Sequence, residues 1–114
     1  MAEEATGKKF DGDKNRMDLL PPFALEKIAE IFTFGMKKYG DWNWSGGIQY
    51  SRIYGAIMRH LNAWQRGENI DPESGKSHLY HAGCGIMMLI EMEEFRKDLD
   101  DRPTHYKKVE VKVN

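Results

Sequence analysis

Cysteine is almost missing from this chain: Cys84 stands alone. An internal disulfide is therefore excluded, and a single thiol suits a reducing cytoplasm. A charge excess is missing too, since 17 Lys and Arg face 18 Asp and Glu for a net charge of −1. No global basic field draws the chain to nucleic acid or an anionic membrane, although a local group of cations can still hold a small anion such as a nucleotide. Long apolar runs are absent as well. The longest, AGCGIMMLI, falls far short of the roughly 20 residues that span a bilayer, and the opening MAEEATGKKFDGDKNR lacks the apolar centre of a signal peptide. Neither an internal repeat nor a low-complexity segment is found. At 114 residues the expectation is one cytoplasmic domain with no membrane or nucleic-acid partner.

What the sequence does contain is helical periodicity. Residues 1–16 are charged and glycine-bearing and read as a flexible segment. Residues 17–100 read as a helical domain and 101–114 as a tail. In the first helix, over 22–39, proline opens the first turn and Leu25, Ile28, Ala29 and Phe32 form the apolar stripe. Lys37 and Lys38 suit its C-terminus and Gly40 closes it. DWNWSGGIQY is a loop by composition. Ser51 is placed to cap a second helix, which ends at Gly67. Its face joins Ile53, Ile57, His60, Leu61 and Trp64, while Arg52, Arg59 and Arg66 recur every seven residues on another. After ENIDPESGK, a loop with a helical turn capped by Asp71, Ser77 caps a third helix running to about residue 100. From Ala82 to Met92 this helix is apolar nearly all round, more than two other helices can cover. The expected fold is all-α: a bundle of about three main helices, completed by assembly into a homo-oligomer, a dimer or a tetramer. In the tail, Val109, Val111 and Val113 alternate as a short edge strand would, or the segment is a partly ordered extension.

HLNAWQRGENIDPESGKSHLYH, residues 60–81, holds three of the four histidines. His78 and His81 share a face at the start of the third helix. The short connection makes the second and third helices an antiparallel hairpin, so His60 approaches both, with Glu68, Asp71 and Glu73 supplied by the loop. Imidazole nitrogens and carboxylate oxygens converging on one point suit a divalent transition metal. The plainer alternative is a core histidine, two histidines at a helix start and a solvated turn. GKS at 75–77 is not a phosphate loop, because Ile70 stands where that loop needs glycine. Elsewhere, Trp42 or Trp44 can stack on a base while Asn43 reads its edge, or one ring simply pins the loop to the core. Lys14, Arg16, Lys37, Lys38, Arg52 and Arg59 offer cations for phosphates. Glu26 and Glu30 read as a solvated face, although a metal between them would explain the pair too.

Four segments, GDKNRMDLLPP, FTFGMKKYGDWNW, RHLNAWQRGE and DPESGKSHLYHA, resemble the phage-encoded dATP/dGTP diphosphohydrolase N-terminal-domain family, a helical group akin to MazG-like nucleotide pyrophosphohydrolases. The resemblance covers roughly residues 9–92. It implies hydrolysis of a purine deoxynucleoside triphosphate to monophosphate and pyrophosphate with Mg²⁺ or Mn²⁺, in the cytoplasm of an infected cell. On that footing Lys14, Arg16, Lys38 and Arg59 are candidates for the phosphates, with Asn43 and Trp44 for the base. His60, Glu68, Asp71, His78 and His81 are candidates for the metal, and Glu68 and Asp71 for catalysis. MazG-like enzymes hold metal with one E-x-x-E and one E-x-x-D on facing helices. Here those spacings occur as Glu91 to Glu94, late in the third helix, and as Glu68 to Asp71, in a loop. Mg²⁺ prefers oxygen, whereas imidazole suits Mn²⁺, Fe²⁺ or Zn²⁺, so either the metal differs or the histidines contact substrate. Two rival readings are a nucleotide-binding module without turnover and a structural phage protein with a buried polar network.

Overall fold

The two consecutive prolines after Leu20 start the first helix, since the ring of Pro22 fixes a helical φ and its missing N–H is not needed there. This helix, α1, spans Pro22–Tyr39. It stops where Gly40 turns to φ 96° while its N–H still bonds Met36 O at 2.7 Å, a conformation that favours glycine. Two more helices follow, α2 over Tyr50–Gln65 and α3 over His78–Phe95. The computed structural model describes residues 6–108, and among them the remaining regular elements are short 3₁₀ turns and one isolated antiparallel bridge, Ile70 to Ser77. The all-α architecture with three main helices is as expected. The strand expected around Val109, Val111 and Val113 lies outside the described residues.

α2 and α3 pack antiparallel, Tyr50 meeting Met92 at one end and His60 meeting His78 at the other, and α1 packs on α3. Tyr50, Ile53, Ile57, Ala82 and Met92 form the buried cluster, with Trp44, Ile48, Leu61, Met88, Leu89 and Leu99 around it. The register is set at one end by Tyr50, whose buried hydroxyl donates to Met92 O at 2.8 Å. In mid-hairpin, glycine lets the helices approach: a Cβ at position 85 would stand 2.5 Å from Ile57 Cγ1. Position 83 is similarly tight against Ile28 of α1, at 2.9 Å.

Three local expectations are corrected. α1 does not bury Leu25, which is 47% exposed; it docks through Ile28 and the buried Ile31, with Phe32 against Trp44. Ser51 does not cap α2, which begins a residue earlier at Tyr50. Instead both the N–H and the hydroxyl of Ser51 donate to the carboxylate of Asp101, so the helix start is satisfied by an anion fifty residues away. α3 ends at Phe95 rather than near residue 100. Arg96 leaves helical geometry (φ −133°, ψ 58°) to bond Ser45 O and to fork onto Asp98. The Ser77 cap is found as expected, its hydroxyl accepting the N–H of Leu79 at 3.1 Å.

α3 is indeed apolar on faces that its own chain does not cover. Leu79, Ile86 and Ile90 line one side of it and stay exposed, Ile90 by 62%. No helix among the described residues is long and apolar enough to cross a membrane.

Candidate functional site

The connection between α2 and α3 is held more firmly than its composition suggests. Gly67 (φ 97°) lets the chain leave α2, and Gly75 (φ 72°) turns it back. Between them the Asp71 N–H donates to Lys76 O, the Gly75 N–H to Asp71 O and the His78 N–H to Asn69 O, all at 2.8–2.9 Å. The carboxylate of Asp71 accepts from the Ser74 hydroxyl at 3.1 Å and from the Glu73 N–H at 3.4 Å, closing the expected capped turn. Ion pairs Lys38–Glu73 and Lys76–Glu30, each at 3.0 Å, tie the loop to α1. Such exposed pairs contribute roughly 0–1 kcal/mol, so they orient the loop more than they stabilise it.

The three histidines meet at this end of the hairpin. His60 Nδ1 lies 2.9 Å from His78 Nδ1, and the His60 ring stacks on His81 with centroids 4.5 Å apart and 8° between planes. His78, only 4% exposed, holds Glu68 Oε1 at 2.9 Å through its other nitrogen. His81 Nε2 reaches the Ser74 hydroxyl at 2.7 Å and Asp71 at 3.4 Å. Glu68 and Asp71 thus each engage one histidine from the loop, while Glu73 turns outward to Lys38.

The imidazoles are turned on one another. Imidazole lone pairs lie in the ring plane, so the parallel rings of His60 and His81 do not aim at a common point. Both nitrogens of His78 are already engaged. Among the described residues no three His, Cys, Asp or Glu side chains are arranged to hold one ion. What does suit a divalent cation is oxygen: Mg²⁺ keeps several waters and is held by one or two carboxylates together with substrate phosphates. Among the described residues a three-histidine cage is not what the side chains form.

The other candidates divide between two places. Arg59 lines an open pocket of about 360 Å³ with Asn62, Ala63, Arg66 and Glu68, so it adjoins the histidine cluster through Glu68. Lys38 stands beside the same loop. Trp44 and Asn43 sit elsewhere. Trp44 packs on Phe32 and, with Met92 and Phe95, lines a small apolar pocket at the far end of α3, roughly 20 Å from His78 along the helix axis. Arg16 forks onto Asp18, and Lys14 lies in an exposed turn whose N–H bonds Asp11 O. Sequence reasoning did not assign Asn62, Arg66 or Ser74. Arg66 belongs to the seven-residue arginine repeat, and Ser74 stands three places after its partner Asp71, so both signals were present. Glu30, expected on a solvated face, lies between Lys27 and Lys76, whose bonds hold its carboxyl below the ordinary range.

The electrostatics follow from this packing. Burial, and then the neighbouring imidazole charge of His81, push His60 below its ordinary 6.5. Burial pushes His81 the same way, against the pull of Asp71. Burial alone would raise Asp71, but the Ser74 hydroxyl, the Glu73 N–H and the imidazoles outweigh it and the carboxyl titrates low. Cys84, buried in α3, is pushed up to about 12 and is an inert thiol at neutral pH. One consequence concerns stability. Below pH 6.5 the unfolded histidines take up protons that the folded His60 and His81 resist, so unfolding becomes easier as pH falls from 6.5 towards their lowered values. Asp71 has linkage of the same sign in a more acidic window: its contribution is present above the ordinary 3.8 and is lost as pH falls through its lowered value. Thermal melts should show a lower Tm at pH 5.5 than at pH 7.5, and His81→Gln should flatten that slope. An equal slope in the variant removes His81 from the cause.

Fold and site together define a small all-α protein whose helical hairpin closes a histidine–carboxylate cluster beside a cationic pocket. The chain belongs to the family described as dATP/dGTP diphosphohydrolase, N-terminal, which it matches over residues 4–102. It is 34% identical over 97 residues to a protein named dATP/dGTP diphosphohydrolase from Salmonella phage PMBT28. That alignment takes in 85% of this chain but only 33% of the relative, so the chain spans about a third of that protein's length. No solved structure matches it.

Proposed function

We propose that this chain hydrolyses purine deoxynucleoside triphosphates, dGTP or dATP, to the monophosphate and pyrophosphate. The observation that carries the reading is the meeting of His60, His78 and His81 with Glu68 and Asp71 next to the pocket of Arg59, Asn62 and Arg66. Two arginines and an amide offer donors to the β- and γ-phosphates, where an excess of negative charge must be held. His60, kept neutral by burial, takes the proton of a water as its oxygen attacks the α-phosphorus. The bond from that phosphorus to the bridging oxygen then breaks, and pyrophosphate leaves. Asp71 would be the protein carboxylate for a divalent cation, Mg²⁺ or Mn²⁺, which when bound would neutralise phosphate charge. Relatedness to a protein named for this activity supports the substrate class. We also propose that a second copy covers the exposed face of α3 formed by Leu79, Ile86 and Ile90. A large apolar side chain forgoes about 1.5–3 kcal/mol when left in water, and three share this stripe.

One preparation tests both points. Purified chain is incubated with dGTP or dATP and Mg²⁺ or Mn²⁺, products are separated, and the same sample is sedimented. Pyrophosphate with monophosphate, and a mass of two or more chains, are expected. Arg59→Ala with Arg66→Ala should raise KM on the order of tenfold or more, each lost charge-assisted bond costing roughly 1.5–3 kcal/mol. Binding of nucleotide without pyrophosphate release would instead define a non-catalytic binding module. Indifference to both nucleotides would leave a structural protein.

A further inference from the structure

Glu68, His78 and His60 form a line of hydrogen bonds in which, with both rings neutral, the carboxylate decides every proton. A carboxylate only accepts, so across the 2.9 Å to Glu68 it is His78 Nε2 that carries hydrogen. In a neutral imidazole the other nitrogen is then a bare acceptor; in the neutral form of His78 that atom is Nδ1. Its neighbour at 2.9 Å is the Nδ1 of His60. Two bare nitrogens repel at that distance, so His60 Nδ1 bears a proton and donates it. The remaining nitrogen of His60, Nε2, is left with its lone pair.

We infer that Glu68 and His78 are positioning residues that lock His60 in its Nδ1–H form and leave Nε2 as the one proton acceptor of that ring. The inference rests on the hydrolytic reading only for what the lone pair does; the proton pattern itself is a property of the resting protein. It also reassigns two residues. Glu68 and His78 act through His60 and do not hold an ion. The burial of His78 fits this, because a ring enclosed at 4% exposure needs both nitrogens satisfied, and here they are. His81, stacked on the other side, fixes the plane of the His60 ring. A partner that orients one nitrogen and so selects the state of the other is the usual way a protein sets a histidine for work.

The test reads the protons directly. Protein labelled with ¹⁵N, without metal or nucleotide at pH 8, well above the ordinary imidazole range, gives long-range ¹H–¹⁵N correlations for each ring. His60 should appear as Nδ1–H and His78 as Nε2–H. Glu68→Ala, at a half-exposed position, should keep the helical signal yet let His60 drift to the Nε2–H form that free imidazole favours. Glu68→Gln, which retains an acceptor oxygen, should restore the original pattern. In turnover, Glu68→Ala should lose about tenfold or more in kcat with KM little changed. Nε2–H at His60 in the unaltered protein overturns the inference. So does an unchanged pattern in Glu68→Ala, and so does stoichiometric Zn²⁺ shifting the nitrogens of both His60 and His78. The expected pattern in a protein that does not cleave dGTP upholds the positioning and removes only the hydrolytic reading.

Discussion

His60→Ala is expected to lower kcat for the triphosphate by about a hundredfold or more while leaving KM near its original value. A positioned general base is worth ~10²–10⁴ in rate, or roughly 3–5 kcal/mol of barrier. His60 fits the base better than its neighbours because its Nε2 is the free end of the hydrogen-bond line, whereas both nitrogens of His78 are taken. The substitution also has a structural cost. It strips the donor from His78 Nδ1, and a buried acceptor without a partner costs about 1–3 kcal/mol. A fall in Tm is therefore expected alongside the fall in rate, and the two separate by temperature: well below Tm the variant is folded and still slow. Full activity in the folded variant would transfer the role of base to another group, with His81 next in line.

Gly85→Leu is expected to be the most damaging single change to the fold. Even the first carbon of a side chain at position 85 would stand 2.5 Å from Ile57 Cγ1 and 3.0 Å from its Cδ1, where α3 meets α2. Overpacking of that kind costs about 1–3 kcal/mol per site and more where a helix must move, which for a domain of this size lowers Tm by roughly 10 °C or more. Gly55→Ala in α2 is the matched control. There a Cβ meets only the guanidinium end of Arg59, at 3.3 Å, which can swing aside. That variant should gain up to about 1 kcal/mol from better helix propensity. Scanning melts of the two variants would thus move in opposite directions. Spreading α2 from α3 at position 85 also separates His60 from His78, so Gly85→Leu should lose activity before it loses helix content. A leucine at 85 that leaves Tm unchanged would mean the hairpin packs on another face.

Much of this was legible in advance for a local reason. Helix spans follow from caps and periodicity, which are properties of neighbouring residues. The proline start and glycine stop of α1, the Ser77 cap and the meeting of His60 with His78 and His81 across a short loop were all readable that way. Expectations failed where the partner is distant in the chain. Asp101 satisfies the start of α2 from fifty residues on, and Arg96 breaks α3 to reach Ser45. The stripe of α1 is rotated towards Ile31 because α3, with glycine at 83, admits Ile28 at one particular spot. For Trp44 the sequence left two readings open, a ring for a nucleobase or a ring that pins its loop, and the packing on Phe32 and the core is also set by distant residues.

By itself the sequence determined the three helices, their antiparallel hairpin and the family, because periodicity, caps and motifs are written in residue order. Tertiary structure alone decided what the histidines do to one another. Whether two imidazoles aim at an ion or share a hydrogen bond depends on ring orientation and on which nitrogen faces which, and spacing along the chain carries no information about either. Packing of α2 on α3 sets those angles, through a glycine at 85 and a loop tied at Asn69 and Lys76.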